Sequence, residues 1–229
     1  MSAMCAFDLV GTLVRGDIFQ DARNDFRLDC NRGWNKAERD VDFAHHFDYR
    51  AVIRRWLVLN DLALTEALHV QFKKYLIDNA THKRYLYTQA PQTLHKLHQA
   101  GFNLGFVTDG PDEIEGEMIR QILQTSDIPS QACVIVTGDS TGCPKSEGEP
   151  FGELIRLAKQ HDVEKENIAF VGDKPKADID GPKQAGIEKA ILIARGEQPT
   201  PPLGKWSPWR TIKNLQEIWD ILPGLEHNK

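Results

Sequence analysis

The stretch CAFDLVGTLVRG, residues 5–16, decides how the rest of the sequence is interpreted. Its apolar run leads to Asp8, and a Gly-Thr pair follows at Gly11 and Thr12. A short apolar run that ends in polar and glycine residues is typical of a buried strand followed by a tight turn. The stretch therefore predicts a strand whose end presents one carboxylate on a loop.

The same pattern recurs further along the chain. The apolar runs are rich in β-branched or aromatic residues and lack polar alternation, which is typical of strands that are covered on both faces. Helical patterns lie between them, with proline, glycine and acidic residues at the expected helix ends. The predicted strands are 4–10, 102–108, 133–137, 168–172 and 189–194, and the predicted helices are 91–101, 111–124 and 150–162. This alternation predicts an α/β fold with a parallel sheet between two layers of helices.

Residues 15–90 interrupt the alternation. The segments 49–61 and 65–79 have helical patterns, and no run between Arg15 and Thr88 is typical of a core strand. We therefore predict an α-helical cap, residues 15–90, inserted into a core formed by residues 1–14 and 91–229. Near the end of the sequence we expect a proline-rich surface loop over 196–209 and a helix over 211–222.

The composition excludes some classes of function. The chain has 229 residues, with 28 basic and 33 acidic side chains and a formal charge of −5, which argues against non-specific binding to nucleic acid. Its four cysteines form no CxxC pair, and reduced thiols in a cytoplasmic protein explain this spacing most simply. From the residue pattern we expect no charged leader before a long apolar segment and no membrane-spanning run. We expect a cytoplasmic monomer or homodimer whose partner is a small molecule.

Polar residues stand where several of the predicted strands end. Asp8 follows the first strand, Thr108 and Asp109 follow the second, Asp173 follows the fourth, and Lys145 precedes the helix over 150–162. Ligands of open α/β sheets gather outside the carboxyl ends of the strands. A single aspartate at a strand end is often only a turn or cap residue. The prediction of one polar site therefore rests on the arrangement of all these residues together.

Four segments, in order, resemble the motifs of the haloacid dehalogenase-like hydrolase superfamily. They are FDLVGTL, FVTDG, the lysine of CPKSEGEPF and FVGDKPKADIDGPKQAG. The helical insertion after the first motif is similar to the smaller cap of that superfamily. The resemblance implies a Rossmann-like core, a cap that closes over the site, and a hydrolase. One departure is Ser146, which stands where the superfamily usually has a proline after the motif lysine.

The resemblance also implies roles for the motif residues. Asp8 is expected to be the nucleophile that forms a covalent aspartyl intermediate, a route that divides one difficult displacement into two easier ones. Thr108 is expected to donate its hydroxyl to a phosphoryl oxygen, and Lys145 to neutralise the nucleophile and the phosphate. Weaker candidates for substrate contact are Asp109, Gly110 and Arg15.

A magnesium site is implied at the same place. Asp8, Asp173 and the backbone carbonyl of Val10 are the expected ligands, with Asp178 supporting them. A hard divalent cation prefers oxygen ligands and needs only a few carboxylates from the protein. The resemblance therefore implies a Mg²⁺-dependent phosphatase acting on a small phosphorylated metabolite.

Val10 departs from the pattern of most phosphatases in this superfamily, which have an aspartate two residues after the nucleophile. That aspartate protonates the leaving oxygen and then activates water, and such help is worth about 10²–10⁴ in rate. A valine side chain can do neither. The first interpretation is a substrate with a good leaving group, with His45, His46 or a cap carboxylate activating water.

Two other interpretations remain open. The superfamily's phosphonate hydrolases use a cap lysine, for which Lys36, Lys73, Lys74 and Lys83 are available, and its 2-haloacid dehalogenases act on carbon–halogen bonds. The dehalogenases lack the Gly-Asp pair that this chain has at Gly172 and Asp173. The last possibility is a binding or regulatory module with weak catalytic activity.

Overall fold

A six-stranded sheet forms the centre of the structure. The computed structural model describes residues 2–25, 37, 55, 66–195 and 204–222. The strands are β1 (Met4–Phe7), β2 (Asn103–Val107), β3 (Cys133–Val136), β4 (Ile168–Gly172), β5 (Lys189–Ile193) and β6 (Arg210–Ile212). Their order in the sheet is β3-β2-β1-β4-β5-β6, and every neighbouring pair is parallel. The predicted α/β fold with a parallel sheet is confirmed.

Helices connect the strands. In chain order they are α1 (Asp17–Asp25), α2 (Glu66–Asn79), α3 (Ala90–Gln99), α4 (Glu117–Thr125), α5 (Gly138–Thr141), α6 (Glu149–Ala158), α7 (Gly181–Gln184) and α8 (Ile218–Ile221). Two π-helical turns, Asp112–Gly116 and Pro175–Asp180, lead directly into α4 and α7. These turns follow β2 and β4, so both of the wider helical turns lie at the carboxyl edge of the sheet.

The first strand lies in the middle of the sheet, between β2 and β4. Its four residues are fully buried, and Phe7 pairs in register with Phe106 of β2 and Val171 of β4. Successive side chains of a strand point to opposite faces. Cys5 and Phe7 accordingly join the apolar cluster that contains residues of α3 and α4, whereas Met4 joins the cluster that contains residues of α6. The three central strands therefore end at one level, with helices on both faces.

The predicted cap is described in part. The helix expected over 65–79 is confirmed as α2, and α1 and α2 pack against each other. Ile18 of α1 and Leu76 of α2 belong to the same apolar cluster as Phe7. The helix expected over 49–61 lies outside the described residues except for Arg55. The division into a cap and a core stays a prediction.

The helix expected over 211–222 is wrong in its first part. Residues 210–212 form β6, which extends the sheet because Ile191, Leu192 and Ile193 pair with them in parallel. The side chain of Asn214 then accepts a hydrogen bond from the backbone N–H of Gln216, and this cap begins a 3₁₀ turn that leads into α8. The β-branched pair Thr211–Ile212 is suited to a strand, and the helix starts only after the asparagine cap.

Two further observations bear on expectations from composition. The described cysteines Cys5, Cys133 and Cys143 are free thiols. Among the helices that the structure describes, none combines the length and the apolar character that crossing a membrane would require.

Candidate active site

Asp8 follows the central strand and is almost completely buried. Its backbone N–H donates to the carbonyl of Val171 at 2.9 Å, so β1 and β4 hold it in place. The hydroxyl of Thr12 donates to one carboxylate oxygen at 3.2 Å, and the ammonium of Lys145 donates to the other. Between these residues Gly11 has φ +99°, and a Cβ at this position would collide with the carboxylate of Asp173. The glycine therefore allows a tight turn that brings two carboxylates close together.

Lys145 is buried between carboxylates. Its ammonium contacts Asp8 and also lies 2.7 Å from Asp178, and only 1% of the side chain is exposed. Burial alone would lower the pKa of Lys145, but the negative charges of Asp178, Asp8 and Asp109 outweigh burial and raise the pKa well above its ordinary value. The lysine therefore stays charged and lies between the carboxylates of Asp8 and Asp178.

The loop that carries Lys145 is fixed from two sides. Its backbone N–H donates to the carboxylate of Asp109 at 2.8 Å. A Cβ on Gly181 would collide with the carbonyl of Lys145, so the segment after β4 packs directly on this loop. The carboxylate of Asp109, a candidate for substrate contact, thus has a partner within the protein.

Three carboxylates converge beside Lys145. Ligand oxygens of Asp8, Asp173 and Asp178 lie within 4.8 Å of one another. Asp178 is fully buried and accepts a hydrogen bond from the backbone N–H of Lys174 at 2.8 Å. One oxygen of Asp173 is buried and has no hydrogen-bond partner among the described residues. Burial, and then the charges of Asp8 and Asp178, raise the pKa of Asp173 to about 7.

This cluster has a composition that fits a divalent cation. A buried polar atom without a partner is costly, and the positive charges of Lys145 and Lys174 do not offset the burial and repulsion that raise the pKa of Asp173. A hard cation with oxygen ligands would satisfy both conditions. Val10 lies two residues after Asp8 and pairs with Val14 in an isolated bridge. Its apolar side chain offers no ligand, so only its carbonyl can take the expected place in a metal site.

A carboxylate that the motifs do not identify enters the site from the other side. The hydroxyl of Thr108 donates to Glu115, and the backbone N–H of Gly110 donates to the same oxygen at 3.2 Å. We call these two groups the donor pair. Burial raises the pKa of Glu115, the charge of Asp8 raises it further, and the Thr108 hydroxyl offsets part of the effect.

The sequence pattern around Glu115 indicates that its side chain is buried. Glu115 lies three, four and seven residues before the buried Met118, Ile119 and Ile122, so it falls on the apolar stripe of the helix predicted over 111–124. A charged residue on such a stripe needs a buried partner. Sequence reasoning interpreted the acidic residues of this segment only as favourable charges at a helix start.

Two arginines lie at the edge of the site around the ring of Tyr87. The guanidinium carbon of Arg195 lies 3.6 Å from the ring centroid, and that of Arg15 lies 5.0 Å from it. Arg195 also donates to the carbonyl of Thr12 at 2.7 Å, one residue after Gly11. Burial lowers the pKa of Arg195. Arg15 was a sequence candidate, whereas Arg195 was missed because the residues it contacts are distant in sequence.

Other sequence candidates have different surroundings. Lys73 and Lys74 pair with Glu113 and Asp78. The cap candidates Lys36, His45 and His46 lie outside the described residues.

Comparisons with known proteins identify the same group of enzymes. The family model for haloacid dehalogenase-like hydrolases matches residues 3–186. A phosphoglycolate phosphatase of Salmonella typhi is 31% identical over 121 residues, which is 53% of this chain but only 45% of that protein. A phosphoglycolate phosphatase of Aquifex aeolicus is 28% identical over 193 residues, covering 82% of this chain and 83% of that protein.

A solved structure gives the same result for the fold. The magnesium-bound HAD-hydrolase YfnB of Bacillus subtilis superposes with a TM-score of 0.69 over 97% of this chain and 99% of that chain, at 19% identity. At this level of identity the likeness concerns the fold alone.

Proposed function

Because this chain belongs to the haloacid dehalogenase-like hydrolase family, we propose that it is a Mg²⁺-dependent phosphatase with Asp8 as nucleophile. The observation that carries the proposal is the buried pair of Asp8 and Lys145, which lies beside Asp173 at the aligned ends of the central strands. A structural ion pair would not need a third carboxylate with an oxygen that lacks a partner.

The chemistry starts from the charges around Asp8. The ammonium of Lys145 contacts the carboxylate of Asp8, the group that attacks phosphorus. The Asp8 oxygen forms a bond to phosphorus while the bond from phosphorus to the leaving oxygen breaks. Water then attacks the aspartyl phosphate, releases phosphate and restores the carboxylate. The donor pair of Thr108 and Gly110 is positioned to stabilise charge on the phosphoryl oxygens.

Magnesium would be held by Asp8, Asp173 and the carbonyl of Val10. When bound, it supplies positive charge that offsets the negative phosphoryl group and the acidic cluster. Asp178 would act through Lys145, which it contacts, and through the backbone of Lys174.

We infer that the substrate carries a second anionic group. Arg15 and Arg195 place two positive charges around Tyr87, and Arg195 is linked through Thr12 to the nucleophile. Within the described part of the chain, neither arginine forms a salt bridge. The phosphoglycolate phosphatases that this chain matches act, by their name, on a phosphate that also has a carboxylate. A small phosphorylated acid would satisfy both ends of such a site.

A second candidate function rests on Val10. Because its side chain cannot transfer a proton, the alternative is a reaction whose leaving group takes no proton from this position: the carbon of a phosphonate, as in the phosphonate hydrolases, or a halide, as in the dehalogenases. A binding module with weak activity comes third, because a module needs no nucleophile paired with a buried lysine.

One panel tests the proposal. The protein is incubated with and without Mg²⁺ with p-nitrophenyl phosphate, acetyl phosphate, phosphoglycolate, phosphonoacetaldehyde and 2-chloropropionate. We expect phosphate release that chelator removes and that Asp8→Asn abolishes. Asp162→Asn is the matched control, because Asp162 lies on the surface and an asparagine tolerates its φ of +56°.

The alternatives give different results in the same panel. Chloride release without metal would identify a dehalogenase, and phosphate release from phosphonoacetaldehyde alone would identify a phosphonate hydrolase. Phosphate binding without any turnover would identify a binding module.

A further inference from the structure

The carboxyl group of Glu115 lies on the donor pair that is expected to hold the phosphoryl group. We propose that Glu115 carries out the proton transfers for which Val10 has no suitable side chain. In this role it protonates the leaving oxygen and then accepts a proton from the attacking water. The inference rests on the proposed phosphatase function and adds a catalytic residue to it.

The local structure directs the Glu115 side chain into the site. The π-helical turn Asp112–Gly116 follows β2 directly, and within it Ile114 packs into the apolar cluster while Glu115 turns towards the strand end. Only 5% of Glu115 is exposed. A Cβ on Gly110 would collide with the Glu115 carboxyl group. The glycine therefore leaves the space that this side chain fills.

The charges that act on Glu115 come from both sides of the site. Asp8 repels its negative form, and Lys145 and Lys174 attract it. The other acidic residues of its turn are engaged elsewhere, since Asp112 pairs with Arg120 and Glu113 with Lys73. Glu115 has no salt bridge within the described residues. Burial raises its pKa, as for carboxylic acids that act as proton donors near neutral pH.

Substrate binding displaces the Glu115 carboxyl group from the donor pair and favours its protonation. A phosphoryl oxygen needs the Thr108 hydroxyl and the Gly110 N–H, to which Glu115 is bonded in the structure. A carboxylate and a phosphoryl dianion that compete for the same two donors repel each other, and a nearby anion raises the pKa of a carboxyl group. Binding therefore favours uptake of a proton by Glu115. The protonated group no longer repels the phosphoryl group and has an O–H to donate beside it.

Each proton has a defined source and destination. In the first step Asp8 bonds to phosphorus, the phosphorus–oxygen bond to the leaving group breaks, and the leaving oxygen takes the proton of Glu115. In the second step the Glu115 carboxylate takes a proton from water as the water oxygen bonds to phosphorus. The bond between phosphorus and Asp8 then breaks, and both carboxyl groups return to their starting forms.

The first experiment compares Glu115→Gln with Glu117→Gln. The amide of the Glu115→Gln variant keeps an acceptor for the donor pair but cannot transfer a proton, whereas Glu117 is a partly exposed residue paired with Arg120 on the same helix. On an alkyl phosphate we expect Glu115→Gln to lower kcat about 10²–10⁴-fold and Glu117→Gln to leave it within about twofold. On p-nitrophenyl phosphate, whose leaving group needs little acid, we expect a burst of one nitrophenol per Glu115→Gln molecule followed by slow turnover. A Glu115→Gln protein with native kcat on the alkyl phosphate overturns the proposal.

The second experiment does not depend on turnover. Calorimetric titration of the Mg²⁺-loaded protein with inorganic phosphate, in buffers of different ionisation enthalpy, counts the protons taken up. We expect the native protein and Glu117→Gln to take up more protons, by up to about one, than Glu115→Gln. Equal uptake, or absence of phosphate binding in all three proteins, overturns the proposal. Lack of turnover by the native protein, together with the expected difference in uptake, would refute the phosphatase function and leave the proton-holding role of Glu115 supported.

Discussion

Metal-free protein should lose stability as the pH rises from 5 to 8, because Asp173 must then ionise inside the folded chain. Burial, and then the charges of Asp8 and Asp178, raise its pKa from 3.8 to about 7. The unfolded chain releases this proton near 3.8, whereas the folded chain keeps it until about pH 7. Because the folded state binds more protons between these values, the free energy of unfolding falls as the pH rises through this window.

The magnitude follows from the same two pKa values. They differ by about three units, and each unit corresponds to about 1.4 kcal/mol. Full ionisation of Asp173 therefore costs about 4 kcal/mol of stability above pH 7, of which about 3 kcal/mol falls between pH 5 and pH 8. A typical domain is stable by about 5–15 kcal/mol, so the change is large enough to measure.

Urea unfolding at pH 5 and pH 8 in the presence of chelator is the assay. We expect the stability loss of the native protein to exceed that of Asp173→Asn by about 3 kcal/mol, since the variant has no proton to lose at this position. At pH 8, Mg²⁺ at about a hundred times its Kd should return about 2.7 kcal/mol to the native protein. Equal pH dependence in the two proteins would refute this account of the acidic cluster.

Three other changes test separate parts of the site. Gly11→Ala places a side chain at a φ of +99° and in collision with Asp173. Urea unfolding should therefore show that the free energy of unfolding falls by about 1–3 kcal/mol, and calorimetry should show a weaker affinity for Mg²⁺. Unchanged stability and affinity would contradict the observed turn. In the Glu115→Gln background, Val10→Asp should raise turnover of an alkyl phosphate at least about tenfold, because Glu115 no longer supplies the proton there. No gain in a folded double variant would show that proton transfer is not the deficit. Arg195→Met should raise KM at least about tenfold for a phosphate that has a second acidic group, while KM for p-nitrophenyl phosphate stays unchanged; an equal effect on both substrates would exclude a second anion site.

Most of the core could be predicted from the sequence because its strands are buried on both faces. Their apolar runs have no competing periodicity, and the strands from β1 to β5 lie within the predicted ranges. The sixth strand was missed because it has three residues, of which only Ile212 is buried. These residues form a strand because they pair with β5, and a local sequence pattern does not predict pairing with a distant segment.

Some residues of the candidate site could likewise be predicted from the sequence, and others could not. The contact between Asp8 and Lys145 joins residues 137 positions apart, and only the order of the motifs predicted it. Glu115 was missed because the motif pattern does not include it and because the π-helical turn, which sets its direction, has no clear sequence signal. Arg195 and Thr12 are in contact although they lie 183 positions apart in the sequence, and no motif predicted this contact. Cytoplasmic location and oligomeric state stay predictions.

The central place of β1 also has a consequence for biosynthesis. The strand leaves the ribosome well before both of its neighbours, which are encoded far downstream, at residues 103–106 and 168–171. At a synthesis rate of about 5–20 residues per second, the second neighbour follows roughly 8–30 s later. Until β2 is made, Met-Cys-Ala-Phe is an apolar strand with two open edges, and until β4 is made one edge stays open. Open edges of this kind allow pairing with another chain. The nascent protein therefore depends on late closure around a segment made long before its partners, and truncation before β4 should yield aggregates rather than a smaller folded domain.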